Sequence, residues 1–474
     1  MKHPVVDREI CGYCGACVSV CPSNAIELVD LHLRIDESLC IGCLACVEVC
    51  PLGAMKLGAQ GETSNATRPG YQAPGIKEKR CDVLVIGGGP GGSLAAKTAA
   101  EQNVDVLMVE KRQEIGSPVR CAEAVSARPL AEFIEPNPKW VSAEINGGRI
   151  YVPDGNFVEV ENPGVGLVLD RKTFDRELAN QAAQSGAEVW VKARAIDLIK
   201  NNGSIEGAII RRRDADYRIH AKVVIAADGI ESQVGKWAGI DTTCGTSGVD
   251  TCAQYLMTGM GDKFDGLCHF YLGHETAPRG YAWIFPKGDG CANVGLGIGG
   301  HISHDTAVEY LNRFVEREAP NSSILGMVVG CVPASGDLSD IVRDGFMIIG
   351  DAAHQNDPVS GGGILNSMIA GQIAGEVAGQ AVRSGDVSRN SLEEYQKRWH
   401  KQIGRTFRPL RKIREGVLGF SDETLNDICG MLSQKDLKKL SMLDIFWGAL
   451  KREPRLLLEL RHLIKLGWAQ LIDP

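Results

Sequence analysis

The sequence predicts an α/β protein with α+β parts. A small cysteine-rich domain comes first, then a larger domain in which a parallel sheet and its covering helices are interleaved with a second β-sheet. Two observations carry this reading. The motif C-x2-C-x2-C-x3-C-P occurs twice within residues 11–51. A glycine-rich turn, G-x-G-x-x-G at 87–92, follows a short apolar run and precedes a helix-forming stretch, the strand–turn–helix order that opens a doubly wound sheet.

Taken in order, residues 1–57 read as one compact domain. Residues 58–79 are rich in Gly, Pro, Ser, Thr and Asn with little apolar content, the composition of a linker. At Cys81 a new pattern begins, CDVLVIGGGPGGSLAAKTAA. Strand-like segments (NFVEV, AEVWVKARAIDLI, AKVVIAAD, YAWIFP, GFMIIGD) then mix with helical ones to about residue 385. This gives a domain over 80–385 interleaved with a sheet-rich one at about 126–168 and 241–335. Residues 386–474 read mostly helical.

Composition narrows the function classes. A net charge of −8 with no basic tract argues against nucleic-acid binding. No run of 18 apolar residues predicts a membrane span, and the N-terminus lacks the pattern of a secretory leader. A cytoplasmic location follows as the expectation, where thiols stay reduced. Half of the 16 cysteines fall in the first 50 residues, and such crowding argues for metal ligation.

The ligands are Cys11, Cys14, Cys17 and Cys21, followed by Pro22, and Cys40, Cys43, Cys46 and Cys50, followed by Pro51. Three thiolates in a tight loop ligate one iron–sulfur cube, and the fourth, one helical turn on, points to the other cube. Cys11, Cys14, Cys17 and Cys50 are therefore expected to hold one [4Fe–4S] cluster, and Cys40, Cys43, Cys46 and Cys21 a second. Zinc and disulfides fit less well, because structural zinc sites pair separate Cys knuckles. Gly12, Gly15 and Gly42 are expected to let the loops approach the clusters. The segment resembles bacterial-type two-cluster ferredoxins.

In the glycine turn, Gly87 permits the tight bend, Gly89 lets a pyrophosphate approach the backbone, and Gly92 allows close helix–strand packing. The helix from about Gly91 turns its free N–H groups to the phosphates. Glu110, at the end of the next strand, is placed to bind ribose hydroxyls. These features do not separate FAD from NAD. The segment 345–364, GFMIIGDAAHQNDPVSGGGI, resembles the second FAD fingerprint of the p-hydroxybenzoate hydroxylase-like flavoproteins. That resemblance implies that Asp351 binds the ribityl chain and that the helix opened by Gly361, Gly362 and Gly363 faces the flavin. Asp228 and Gly229 stand where the same superfamily carries an Asp-Gly motif.

Four segments together resemble the geranylgeranyl reductase family: RCAEAVS at 120–126, LDRKTFDREL at 169–178, YAWIFPKGDGCANVGLGI at 281–298, and the GDAAH stretch. The resemblance covers about residues 80–400. It implies FAD contacts at Gly91, Glu110, Cys121, Ala122, Ala124, Arg171, Ala193, Asp351, Gly363 and Ile364, with Cys121 near the flavin ring. It makes the sheet-rich region a substrate domain. Tyr281, Trp283 and Phe285 alternate and so share one strand face, a wall for a long hydrocarbon or else simply core. Cys121, Tyr281 and Trp283 are the candidate catalytic residues.

The implied activity is saturation of isoprenoid double bonds of a lipid or quinone. Family members need not carry the ferredoxin module. Its presence here points to single electrons from a low-potential donor such as reduced ferredoxin, and no second complete glycine motif offers a seat for a nicotinamide. An electron-transfer flavoprotein:quinone oxidoreductase-like role is the alternative, although that resemblance would put the cluster motif near the C-terminus, where Cys429 stands alone. Leu457, Leu460, Ile464, Trp468 and Leu471 form a helical stripe that either docks on the body or touches a membrane surface.

Overall fold

The described residues among the first 57 form one unit used twice. A computed structural model describes residues 3–29, 32–58, 75–212, 215–261, 264, 266–300 and 305–433. Strands Pro4–Val6 and Met55–Leu57 pair antiparallel, as do Ile26–Val29 and His32–Ile35. Between them each cysteine loop ends in a one-turn helix, Ala16–Ser19 or Ala45–Glu48. The two loops repeat in backbone more than in sequence. The residue before the second cysteine is left-handed in both, Tyr13 at φ 51° and Gly42 at φ 71°. The residue after it is left-handed too, Gly15 at φ 86° and Leu44 at φ 62°. Gly12 is not among the left-handed residues, and a Cβ on it would lie 2.6 Å from Val329 Cγ2; Tyr13 and Leu44 accept a strain of about 1 kcal/mol each.

The parallel sheet runs Glu188–Trp190, Val106–Val109, Ile76–Ile86, Asp216–Ala226. Beyond this, the C-terminal half of Asp216–Ala226 pairs parallel with Phe346–Ile348. Its N-terminal half pairs antiparallel with Ser204–Arg211, which continues to Arg194–Asn201. Val83–Ile86 and Val106–Val109 are wholly buried, the continuous apolar reading of strands covered on both faces. Helices Pro90–Ala100 and Ile364–Ser384 cross closely enough that a Cβ on Gly371 would lie 2.1 Å from the Gly91 carbonyl oxygen. The first strand begins at Ile76, four residues before the predicted domain start. Its opening turns polar side chains to solvent and is held by pairing with Asp216–Ile219, so it carries no apolar signal.

The second sheet has eight strands in the order Ser323–Pro333, Val249–Thr258, Cys291–Gly299, Tyr281–Gly288, Cys268–Tyr271, Val141–Tyr151, Phe157–Leu169, Ala124–Ser126. Only the pairing of Cys268–Tyr271 with Val141–Tyr151 is parallel. Its buried face is shared with the cysteine module: Cys14, Ala16, Val20 and Val49 pack in one cluster with Val249, Tyr255, Met257 and Val329. Helices Arg389–Trp399, Arg405–Val417 and Asp422–Ser433 follow. The stripe from Leu457 to Leu471 and most of the expected linker lie outside the described residues. Among the described residues no helix is long and apolar enough to cross a membrane.

Candidate cofactor and active site

The glycine turn is built as its spacing requires. Gly87 sits at φ 115°, and a Cβ there would lie 2.2 Å from the Ala227 carbonyl oxygen. A Cβ on Gly92 would lie 1.9 Å from the Gly87 oxygen. Gly91 backs onto Ser367 of the long helix, whose carbonyl oxygen would lie 2.8 Å from a Cβ on it. Gly89 differs: it caps helix Pro90–Ala100 and a Cβ on it would meet nothing within 4 Å. That open cradle at a helix N-terminus is where a pyrophosphate binds.

A cleft continues from the turn, lined by Gly87, Glu110, Lys111, Ala193, Asp228 and Glu231. The Glu110 carboxylate accepts the Gly88 N–H at 2.9 Å and the Arg112 N–H at 2.8 Å. Asp228 accepts the Val234 N–H through Oδ2 at 3.0 Å, while its Oδ1 is buried without a partner. Burial pushes the Asp228 pKa up to about 6, against the pull of the Val234 N–H and Lys111. A buried acceptor left unpaired beside an open phosphate cradle suits the hydroxyl and phosphate groups of a dinucleotide, so these residues fit FAD.

The other predicted contacts gather where the long helix begins. A Cβ on Gly363, its cap, would lie 3.0 Å from Asp351 Oδ1. Burial raises the Asp351 pKa and Arg171 opposes the rise. Arg171 grips Asp175 in a fork of 2.7 and 2.8 Å; burial works against its charge, and Asp175 more than restores it. Arg171 is thus committed to a carboxylate within its own helix. Cys121 lies beside it. Burial pushes the Cys121 thiol up, Arg171 pulls it down, and its sulfur accepts the Glu123 N–H at 3.2 Å. Ile364 packs in the cluster bordering Cys121. Gly362 donates its N–H to Ser360 Oγ at 3.2 Å.

Tyr281, Trp283 and Phe285 do share a face, with ring centroids 5.8 and 6.2 Å apart in succession. Ala122 and Ala124 pack against it. Trp283 Nε1 donates to Gln254 Oε1 at 3.0 Å, and Gln254 Nε2 donates to the Cys121 carbonyl at 3.1 Å. The Tyr281 hydroxyl donates to the Ser360 carbonyl at 2.5 Å. The aromatic wall is therefore tied both to the Cys121 loop and to the loop before the long helix. Trp283 and Phe285 are buried; Tyr281 is half-buried.

Sequence reasoning passed over what holds the Cys121 loop. Glu123, left-handed at φ 72°, is buried and accepts Lys287 Nζ at 2.5 Å, Asn293 Nδ2 at 2.7 Å and the Arg171 N–H at 2.9 Å. Charged residues inside the otherwise apolar stretches around 120–126 and 281–298 were the available signal. Arg120 was passed over too; its guanidinium donates to the Tyr13 carbonyl in the first cysteine loop.

The eight thiols fall into two quartets. Burial raises the Cys11, Cys14 and Cys17 pKa values, and repulsion from Cys50 adds to each. Burial likewise lifts Cys46 to about 12, with Cys21, Cys43 and Cys40 adding to it. The fourth cysteine of each motif thus stands with the first three of the other, the crossed arrangement the spacing implies. Among the described residues no three His, Cys, Asp or Glu side chains are drawn together tightly enough for a single metal ion. Each quartet holds two buried thiols; none is exposed in the inner one, Cys11, Cys14, Cys17 and Cys50, whereas Cys43 is exposed in the outer one, Cys40, Cys43, Cys46 and Cys21.

Comparison with known proteins agrees with this geometry. Residues 3–51 match the model of a 4Fe-4S dicluster domain, 85–128 an NAD(P)-binding Rossmann-like domain, 156–267 an FAD binding domain, and 248–332 a geranylgeranyl reductase catalytic domain. The fold is that of an FAD-binding Rossmann-type domain joined to a sheet domain, as a crystal structure of a geranylgeranyl bacteriochlorophyll reductase-like protein from Thermoplasma acidophilum shows. It is 37% identical, with a TM-score of 0.77, over 82% of this chain and 100% of that one. A flavin-dependent brominase shares the fold alone, at 18% identity and a TM-score of 0.60 over 79% of this chain and 100% of that one. The digeranylgeranylglycerophospholipid reductase of Methanocella arvoryzae is 48% identical over 81% of this chain and 99% of its own. That of Methanothrix thermoacetophila is 49% identical over 81% of this chain and 100% of its own. With relatives this similar matched along essentially their whole length, the chain belongs to the family of digeranylgeranylglycerophospholipid reductases.

Proposed function

We propose that this protein is an FAD-dependent reductase that saturates the isoprenoid double bonds of a long-chain lipid, supplied with electrons through two [4Fe–4S] clusters. The observation that carries the reading is a continuity of structure. The inner cysteine loop is bonded to Arg120, Arg120 adjoins Cys121, and Cys121 is tied through Gln254 to the aromatic wall. Thiol quartet, Cys121 loop and aromatic wall are parts of one body, which supports reading the second as the flavin end and the third as the wall for the hydrocarbon. When bound, the clusters supply single low-potential electrons and FAD supplies their paired transfer to an alkene.

The chain's own residues do the rest. Gly87, Gly89 and Gly92 shape the turn that seats the pyrophosphate, and Glu110 and Asp228 take hydroxyls along the cleft. Asp351 and Gly363 hold the ribityl and flavin end. Tyr281 and Trp283 orient the prenyl chain and exclude water, and Cys121 borders the reacting carbons. The exposed side of the outer quartet, at Cys43, receives a donor such as reduced ferredoxin. The protein works in the cytoplasm and touches the inner face of the membrane to collect its lipid. The test is anaerobic incubation of the iron- and FAD-loaded protein with dithionite and geranylgeranyl lipids. Two hydrogens gained per double bond, read by mass spectrometry, are expected; no gain across several prenyl substrates refutes the reading.

A further inference from the structure

We propose that Arg120 raises the reduction potential of the inner cluster, held by Cys11, Cys14, Cys17 and Cys50, and so keeps it reducible from the outer one. The inference rests on the two-cluster reading above and goes on to say which side chain makes that relay run inward. Adding an electron to a thiolate-bound cluster adds negative charge to a group that is already negative. Burial penalises that charge, and exposure is one of the levers on cluster potential. Each quartet holds two buried thiols, Cys14 and Cys17 at 9% and 8% exposure and Cys21 and Cys46 at 7% and 6%, and the two differ at Cys43 of the outer quartet, which is exposed. On burial alone, electrons would stop at the outer cluster.

Arg120 supplies the opposing term. It passes the edge strand Ser323–Pro333 at Gly330, where a Cβ would lie 3.7 Å from Arg120 Cβ. From there its guanidinium reaches the Tyr13 carbonyl, one residue before Cys14. A permanent cation at that point, in partly desolvated surroundings, favours the more negative reduced state. The other charges around the loop do not cancel it. Glu231 presses on Gly15, with 2.8 Å from its Cγ to where a Gly15 Cβ would stand, but Lys111 Nζ is paired with its carboxylate at 2.7 Å. On the far side Lys236 donates to the Val18 and Cys21 carbonyls at 3.3 and 3.4 Å, and Cys21 belongs to the outer quartet. The flavin domain therefore sets two cations against the first cysteine loop, Lys236 at the end that carries Cys21 and Arg120 beside Cys14, and Arg120 is the one that adjoins Cys121.

The experiment is an EPR-monitored redox titration of the anaerobic holoenzyme and its Arg120→Gln and Arg120→Lys variants. In Arg120→Gln one of the two cluster couples is expected to fall at least tenfold in its reduction equilibrium, about 59 mV for one electron, while the other stays. Arg120→Lys recovers most of the loss. Both couples unchanged in an iron-replete Arg120→Gln protein would overturn the proposal. If that variant fails to retain iron, Arg120→Met, which keeps the apolar stem and removes the charge, is the deciding one: the same couple must fall, and no shift overturns the proposal equally. A wild-type protein without two cluster signals would overturn the two-cluster reading itself, a failure separate from unchanged potentials in the variants.

Discussion

Asp228 makes the apoprotein less stable as pH rises, and the size of that effect follows from its surroundings. Its side chain is buried at the floor of the dinucleotide cleft. One oxygen has a single N–H for company and the other has none. Lys111 offsets part of the cost of its charge, and Glu231 adds to it. Burial is the largest influence and lifts the pKa from the ordinary 3.8 to about 6. The folded apoprotein therefore holds this proton more tightly than the unfolded chain does. The stability it contributes is fully present below pH 4 and is lost as pH climbs through 6. At about 1.4 kcal/mol per pKa unit, the loss comes to about 3 kcal/mol. Urea unfolding of FAD-free protein at several pH values between 4 and 7, set against Asp228→Asn, isolates the residue. The wild-type curve should fall about 3 kcal/mol further across this range than that of the variant. Parallel curves would show that the carboxylate is not desolvated, and the argument that Asp228 is held in wait for a ligand would go with it.

The crossed quartets predict that Cys50→Ser destroys the cluster of the first motif. It should remove roughly half the iron, and losing the same EPR signal as Cys40→Ser would contradict it. Gly92→Ala drives a methyl group into the Gly87 carbonyl at 1.9 Å, so it should cost about 1–3 kcal/mol or more in urea melts and release FAD on gel filtration. Gly89→Ala meets nothing; its urea midpoint should hold within about 0.5 kcal/mol while FAD affinity falls, because the methyl group occupies the phosphate cradle. Lys287→Met leaves Glu123 buried without its cation and should cost about 3–5 kcal/mol by equilibrium unfolding. Adding Glu123→Gln should recover most of that, and a loss that persists in the double variant would argue against a charge-based cause.

What the sequence made legible was local. The cysteine spacing is a statement about one loop and one helical turn, and the crossed quartets follow from it without long-range information. The same holds for the turn at 87–92, where Gly87 answers to a contact with the end of the adjoining strand and Gly92 to one within the turn, while Gly89 is left open. The alternation of Tyr281, Trp283 and Phe285 is the strand period itself. What escaped was pairing at a distance. Glu123 and Lys287 lie 164 residues apart, and nothing near either one announces the other. The opening of the first strand escaped for a second reason: its stability comes from a neighbouring backbone, so its side chains are free to be polar.

The joint between the two modules combines both kinds of concealment, and this bears on how such a fusion can persist. Arg120 donates to the Tyr13 carbonyl, Lys236 to those of Val18 and Cys21, Gln233 to that of Ile26 at 3.2 Å, and the Cys244 N–H to that of Ser19 at 3.0 Å. On the cysteine side every one of these acceptors is main chain, which any residue supplies, so the module's own marks of where it docks are few: Glu27, paired with Arg194, and Gly12 and Gly15, where a Cβ would meet Val329 and Glu231. Among the donors to those carbonyls, the side chains are Arg120, Lys236 and Gln233 on the flavin side. Only Arg120 of these three also stands next to a residue of the flavin end. Substitutions at Tyr13 or Val18 that keep the loop's backbone should therefore leave the joint intact. Substitutions at Arg120 loosen the docking and strip the inner quartet of its cation at once, so that one position ties the assembly of the two modules to the passage of electrons between them.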